Sequence, residues 1–216
     1  MNNNYILLKA IITCGGKGTR LLPFTKELPK EMAPIFSLGK NDIEIKPLIQ
    51  QIFENLFTIG IREFCFISGK TKRSLQDHFY PDQQQDISDS LSSFYDKIIH
   101  SQIAWINQLI PKGFGDAVLA SKPFVNNDVF FVQAGDVVIS SQVHSSIKKL
   151  IELSKNEDIE AAFLVQTVTD PERHGIVTTK KDEDISLVTK VVEKPKDPDT
   201  NIGIMPFYFF RSSIFD

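Results

Sequence analysis

The chain has 216 residues, 42% hydrophobic and 24% charged, with a formal net charge of −3. That balance is globular and excludes wholesale disorder, and its slight acidity excludes the basic footprint of a nucleic-acid or anionic-membrane binder. Two cysteines, Cys14 and Cys65, each inside an apolar run, exclude a disulfide scaffold and a cysteine zinc site and suit a reducing cytoplasm. The length is that of one large domain, or of a domain with a short appendage, at the usual ~100–200 residues per domain. No apolar run approaches the ~20 residues of a membrane span, and Met1 to Tyr5 lacks the charged start of a signal peptide. The expectation is a cytoplasmic protein with neither nucleic acid nor membrane as partner.

The predicted elements alternate between strand and helix. Ile6 to Thr13 is almost continuously apolar and ends in Gly15-Gly16, as a buried parallel strand would. Pro47 to Gly60 places Leu48, Ile49, Ile52, Phe53 and Leu56 on one helical stripe. Glu63 to Ser68 reads as a strand, Lys72 to Phe79 as a short helix, residues 82 to 86 as a polar loop, and Leu91 to Ile99 as a helix. Gln102 to Gln108 reads as a strand, Asp116 to Ser121 as a helix capped by Asp116, and Val129 to Ala134 as the most hydrophobic strand. Val143, Ile147, Leu150 and Ile151 mark a further helix. Strands then follow at Ala161 to Val168, Gly175 to Thr179, Leu187 to Val192 and Ile204 to Phe210. Interleaved strands and helices imply an α/β fold, a mostly parallel or mixed central sheet flanked by helices, with right-handed crossovers. Ser212 or Ser213 suits a helix N-cap, yet almost no helix follows, so the expectation is one domain over 1–216 lacking part of its C-terminal region.

In such sheets ligands sit outside the carboxyl ends of the strands, which singles out Gly15 to Arg20 and Asp136. Gly15, Gly16 and Gly18 free backbone amides of Cβ obstruction, and Lys17 and Arg20 add charge, so the loop can wrap a polyphosphate. On glycine content alone, the other reading is an ordinary glycine-rich turn. The spacing is neither that of a P-loop nor that of the dinucleotide fingerprint. Lys26 and Lys30 follow, with Pro23 and Pro29 fixing the chain; they are mobile point charges for phosphate or simply a solvated charged loop. Asp136, at a strand's carboxyl end, suits Mg²⁺ or an ordinary turn. Glu193 can accept bonds from sugar hydroxyls, and Lys194 can meet a phosphate. His78, His100, His144 and His174 lack metal-ligand spacing, and nothing argues for covalent catalysis.

In this order the segments resemble the sugar-1-phosphate nucleotidylyltransferases, and among them the branch that uses UTP and glucose 1-phosphate. The resemblance rests on Gly15 to Pro23, Thr25-Lys26, Pro29 to Ile35, Lys46 to Gln50, Lys72 to Phe79 and Gly113 to Val118. It continues through Gly135-Asp136, Pro171 to Val177 and Val192 to Pro195, so nearly the whole chain is covered. The stretch Pro29 to Met32 favours the uridylyl over the thymidylyl branch.

The resemblance implies a Rossmann-like nucleotidyltransferase fold and a Mg²⁺-dependent transfer giving UDP-glucose and pyrophosphate. Gly15, Gly16, Lys17, Gly18 and Thr19 would face the nucleotide, with Arg20 on the β- and γ-phosphates and Lys30 at the α-phosphate. Gln108 and Gly113 match the positions that read the pyrimidine, and Asp136 matches the metal ligand. Gly175, Glu193, Lys194, Asn201 and Ile204 match the sugar-phosphate site. Departures are Cys14 for a usual alanine, Asp116 for a usual histidine, Pro206 for a glycine, and an inserted surface excursion over Ser37 to Ile45. The family's second metal aspartate, from the C-terminal part, has no counterpart. Two alternatives stay open: a thymidylyltransferase, and a non-catalytic subunit that binds nucleotide sugars. A homo-oligomer is compatible with either.

Overall fold

The computed structural model describes residues 8–16, 18–38, 43–69, 72–81, 88–110, 112–140, 143–182 and 185–216. The polar loop expected at residues 82 to 86 lies outside them, as do Lys17 and the start of the first predicted strand. Among the described residues, four strands form the parallel half of the main sheet: β1 (Lys9–Cys14), β4 (Glu63–Ser68), β5 (Gln102–Asn107) and β6 (Phe130–Ala134). Their order is β5-β4-β1-β6, and each pairing is parallel. The sheet continues antiparallel through β10 (Ile202–Phe210), β8 (Gly175–Asp182) and β9 (Ile185–Glu193), while β7 (Ala161–Thr167) pairs with β10. The expected mixed sheet is therefore present, parallel in its first half. The β10–β7 ladder shifts register between Ile204 and Tyr208. Pro206 lies there, and a proline has no N–H to donate to a neighbouring strand.

Alternation along the strands makes two cores. Ala10, Ile12, Phe64, Phe66, Phe131, Phe207 and Phe209 point to one face. They pack against α1 (Leu48–Thr58), α3 (Asp89–Ile99) and α6 (His144–Leu153) through Ile49, Ile52, Phe53, Phe94, Ile147 and Leu150. Ile11, Cys65, Ile67, Phe130 and Val132 point to the other face, against Ala117 and Val118 of α4 (Phe114–Ala120) and against Val125. Strands covered on both faces must be apolar throughout, which is why they read as continuous runs. Phe53 gathers Phe64, Phe79 and Phe94 at centroid distances of 4.7–5.8 Å, two of the contacts edge-to-face, the geometry that aromatic quadrupoles favour.

One expectation needs correction. Asp116 does not cap its helix: α4 begins at Phe114 after Gly113, placing Asp116 inside the first turn, where its side chain is engaged elsewhere. The expected surface excursion over Ser37 to Ile45 contributes its described residues to a ribbon, β2 (Pro34–Leu38) paired antiparallel with β3 (Ile43–Pro47). One face of it carries Phe36 and Leu38 opposite Ile45 and Ile43, all exposed.

Candidate active site

The parallel half of the sheet brings the ends of four strands to one edge. β1 is flanked by β4 on one side and β6 on the other, so the connections leave it in opposite directions. The gap this opens beyond the carboxyl ends is where α/β sheets hold ligands. Beyond β1 comes the glycine turn, beyond β5 comes Gln108, and beyond β6 come Gly135 and Asp136.

The turn is shaped by close contact. A Cβ on Gly16 would lie 2.7 Å from Lys30 Nζ and 3.0 Å from its Cε, so only glycine lets the ammonium lie over this backbone. Gly18 has φ +65° and precedes the single-turn helix Thr19–Leu21, on which Thr19 and Arg20 are exposed. Thr25 Oγ1 donates to Gly18 O at 2.7 Å and closes the loop. Lys30 opens another single-turn helix, Lys30–Met32, fixed by Pro29. Its Nζ donates to Asp136 Oδ2, joining the glycine turn to the end of β6. The Asp136 side chain remains 38% exposed, so one carboxylate oxygen edge stays available to a ligand.

Beneath these groups lies an ion pair that the sequence reading missed. Glu31 is fully buried and accepts from Lys72 Nζ at 2.8 Å on both carboxylate oxygens. The same ammonium donates to Gly16 O at 3.1 Å. Lys72, just before α2 (Arg73–His78), thus ties that segment to both the glycine turn and the Lys30 segment. Burial raises the Glu31 pKa, and the Lys72 charge opposes that rise. A lysine just before a short helix and a glutamate beside a catalytic candidate were visible, but 41 residues separate them.

Gln108 stands at the mouth opposite Gly15. It is buried, its backbone N–H donates to Ser68 O at 2.8 Å, and its side-chain amide donates to Asp116 Oδ2. Gly113 starts α4 nearby. At the antiparallel end Gly175 pairs with Glu193 in register, and a Cβ on Gly175 would lie 3.2 Å from Glu193 Oε2 and 3.3 Å from Ile204 Cδ1. Lys194, in the left-handed region at φ +46°, reaches Glu193 Oε1 at 3.2 Å. Asn201 enters β10 and its carbonyl accepts from Val168 N at 2.9 Å. Burial, then the Glu193 charge, raises the pKa of Tyr208 on the same strand. The predicted groups therefore form two contacting sets: Gly16, Lys30 and Asp136 in one, and Gly175, Glu193, Lys194 and Ile204 in the other. Gln108 and Gly15 meet each other.

Both cysteines are unreactive packing groups. Burial pushes the Cys65 thiol up to about 12 and raises Cys14 well above its ordinary value. Cys14 Sγ packs where Gly135 leaves room, 2.8 Å from where a Cβ would sit. Among the described residues no three His, Cys, Asp or Glu side chains gather as a metal cage. Beyond β6, Asp136 supplies a hard, accessible carboxylate. That donor set fits a magnesium ion completed by water and substrate phosphate oxygens, the usual manner of holding this cation. No helix among the described residues is long and apolar enough to cross a membrane.

A glycine turn, a lysine laid over it and one strand-end carboxylate meet beyond β1 and β6, an arrangement suited to an enzyme that transfers nucleotidyl groups. Residues 9–216 match the nucleotidyl transferase family, and the chain belongs to it. It is 34% identical over 222 aligned residues to a UTP–glucose-1-phosphate uridylyltransferase of Staphylococcus epidermidis, covering 96% of this chain and 73% of that one. Among solved structures it is similar to an apo UDP-glucose pyrophosphorylase, with TM-score 0.84 and 27% identity over 97% of this chain and 78% of that one. A UDP-glucose pyrophosphorylase complexed with UDP-glucose gives TM-score 0.83 and 28% identity over the same shares.

Proposed function

We propose that this chain transfers the uridylyl group of UTP to glucose 1-phosphate, releasing pyrophosphate and UDP-glucose, with magnesium as cofactor and in the cytoplasm. The observation that carries the reading is Lys30 held over Gly16 and against Asp136 at the divergence of β1 and β6. The identity to uridylyltransferases over almost the whole chain supports it.

The chemistry needs little acid–base help. A phosphomonoester has a second pKa of ~6, so the attacking oxygen of glucose 1-phosphate is already mostly ionised near neutral pH. The obstacle is repulsion between two polyanions and their alignment for in-line displacement at the α-phosphorus. Backbone amides of Gly15, Gly16 and Gly18, with Thr19 and Lys17, would hold the triphosphate, and Arg20 would meet its β- and γ-phosphates. Lys30 would stabilise the charge that builds on the α-phosphate. Gln108 and Gly113 would read the base. Gly175, Glu193, Asn201 and Ile204 would hold the sugar and Lys194 its phosphate. Asp136 would hold magnesium, which when bound supplies charge neutralisation and alignment of phosphate oxygens.

The test is pyrophosphate release from UTP and dTTP, side by side, with glucose 1-phosphate and magnesium. Turnover with UTP exceeding that with dTTP is expected. Faster turnover with dTTP would place the chain in the thymidylyl branch, and binding of UDP-glucose without turnover would make it a non-catalytic subunit.

A further inference from the structure

We propose that Asp116 is a positioning residue that fixes the orientation of the Gln108 amide, so that the site accepts a pyrimidine carrying N3–H and rejects cytosine. This rests on the reading of Gln108 as a base-contacting residue.

A primary amide can be turned end for end at almost no cost in shape, exchanging a donor for an acceptor. Gln108 is not free to turn. Its amide nitrogen donates to Asp116 Oδ2, and a carboxylate accepts but never donates. The flipped amide would set its carbonyl oxygen against a carboxylate oxygen, two acceptors in contact. The backbone gives no slack either, because Gln108 N is held by Ser68 O at 2.8 Å and the residue is only 6% exposed. With the nitrogen committed, the carbonyl is the end that lies over the glycine turn: Gln108 Oε1 is 2.8 Å from where a Cβ on Gly15 would stand. Gly15 has no side chain to cover it.

An acceptor in that place selects by hydrogen-bond polarity. Uracil and thymine present N3–H, a donor, which the carbonyl of Gln108 can accept. Cytosine presents a bare N3 lone pair, which would face that carbonyl as a second acceptor. A site built around one polarity penalises the wrong partner through the unpaired groups it leaves, more than it rewards the right one. Asp116 therefore acts through Gln108, without itself needing to touch the base. A residue able to donate at position 116 would release the amide to serve either base.

The experiment compares kcat/KM for UTP and CTP in the wild-type chain, Asp116→Asn and Gln108→Leu, with glucose 1-phosphate as acceptor, alongside thermal melting. The wild type should prefer UTP. Asp116→Asn, nearly isosteric but able to donate, should narrow that preference by about tenfold or more, the change residing in KM, with the melting midpoint unchanged. Should Asp116→Asn melt early, Asp116→Ser, whose hydroxyl both donates and accepts, carries the same comparison. A wild type that uses CTP as well as UTP overturns the inference. So does an undiminished UTP preference in the position-116 variants. In that case Gln108→Leu separates the causes: lost preference leaves Gln108 reading the base unaided, whereas retained preference removes the base site from this part of the fold.

Discussion

Lys30 donates from its ammonium to the carboxylate of Asp136, a partner 106 residues along the chain. One group follows β1 and the other follows β6, so the pair spans the gap at which the sheet connections diverge. Each group neutralises the other's charge at that gap.

Replacing Lys30 by alanine should therefore cut turnover far more than nucleotide binding. Loss of one preorganised donor to developing charge lowers kcat by about 10²–10³ in other enzymes, and a fall of that size is expected here. Steady-state kinetics gives the turnover and calorimetry with UTP the affinity. Near-normal turnover would remove Lys30 from the mechanism.

Gly16→Ala tests the position of that ammonium without deleting it. The added methyl would stand 2.7 Å from Lys30 Nζ, at the flexible end of a lysine, which can retreat. The expected outcome is an intact fold by circular dichroism and turnover reduced by at least tenfold, since misplacement by about 1 Å can cost ~100-fold.

Lys72→Met should destabilise the protein by about 3–5 kcal/mol, because Glu31 is then left buried without its counter-charge. Burial already raises the folded-state pKa of Glu31 above the ordinary 4.5, and without Lys72 it must rise further. The unfolded carboxyl then ionises at lower pH than the folded one. Stability is lost as pH climbs from about 4.5 through the folded pKa. Urea unfolding should show a larger deficit against wild type at pH 8 than at pH 5. Adding Glu31→Gln should flatten that difference.

His78 gives the opposite slope. It stacks on Phe94 at 5.1 Å, its Nε2 donates to Gln50 Oε1 at 3.1 Å, and burial lowers its pKa against the opposing pull of Glu54. The unfolded imidazole takes up its proton near pH 6.5 while the folded one resists, so stability falls as pH drops below that value. Urea midpoints between pH 7 and 5.5 should decline in wild type and decline less in His78→Phe.

What the sequence made legible follows from what burial demands. The bounds of β4 are legible to the residue and those of β6 nearly so, while the start read for β1 at Ile6 lies outside the described residues; strands covered on both faces must be apolar without interruption. The ribbon of β2 and β3 escaped notice because Phe36, Leu38, Ile43 and Ile45 face outward, so no core imprints a pattern on it. An aspartate ahead of an apolar run ordinarily caps a helix, whereas the attachment of Asp116 to Gln108 depends on tertiary placement. Lys30, Asp136, Glu193 and the glycines stand out in the sequence as ordered segments, whereas Lys72 and Glu31 gain their meaning only when folding joins them.

Placing β1 between β4 and β6 has a consequence for how the molecule is made. β1 sits between two neighbours made after it, and the second of them, β6, pairs Lys9 with Phe130, far along the chain. Such distant pairings close large loops before any reward is gained, which slows folding and raises contact order. Until β6 is made, β1 stands at an open edge of the growing sheet, and an unpaired strand edge is a place where a nascent chain can pair with a neighbour.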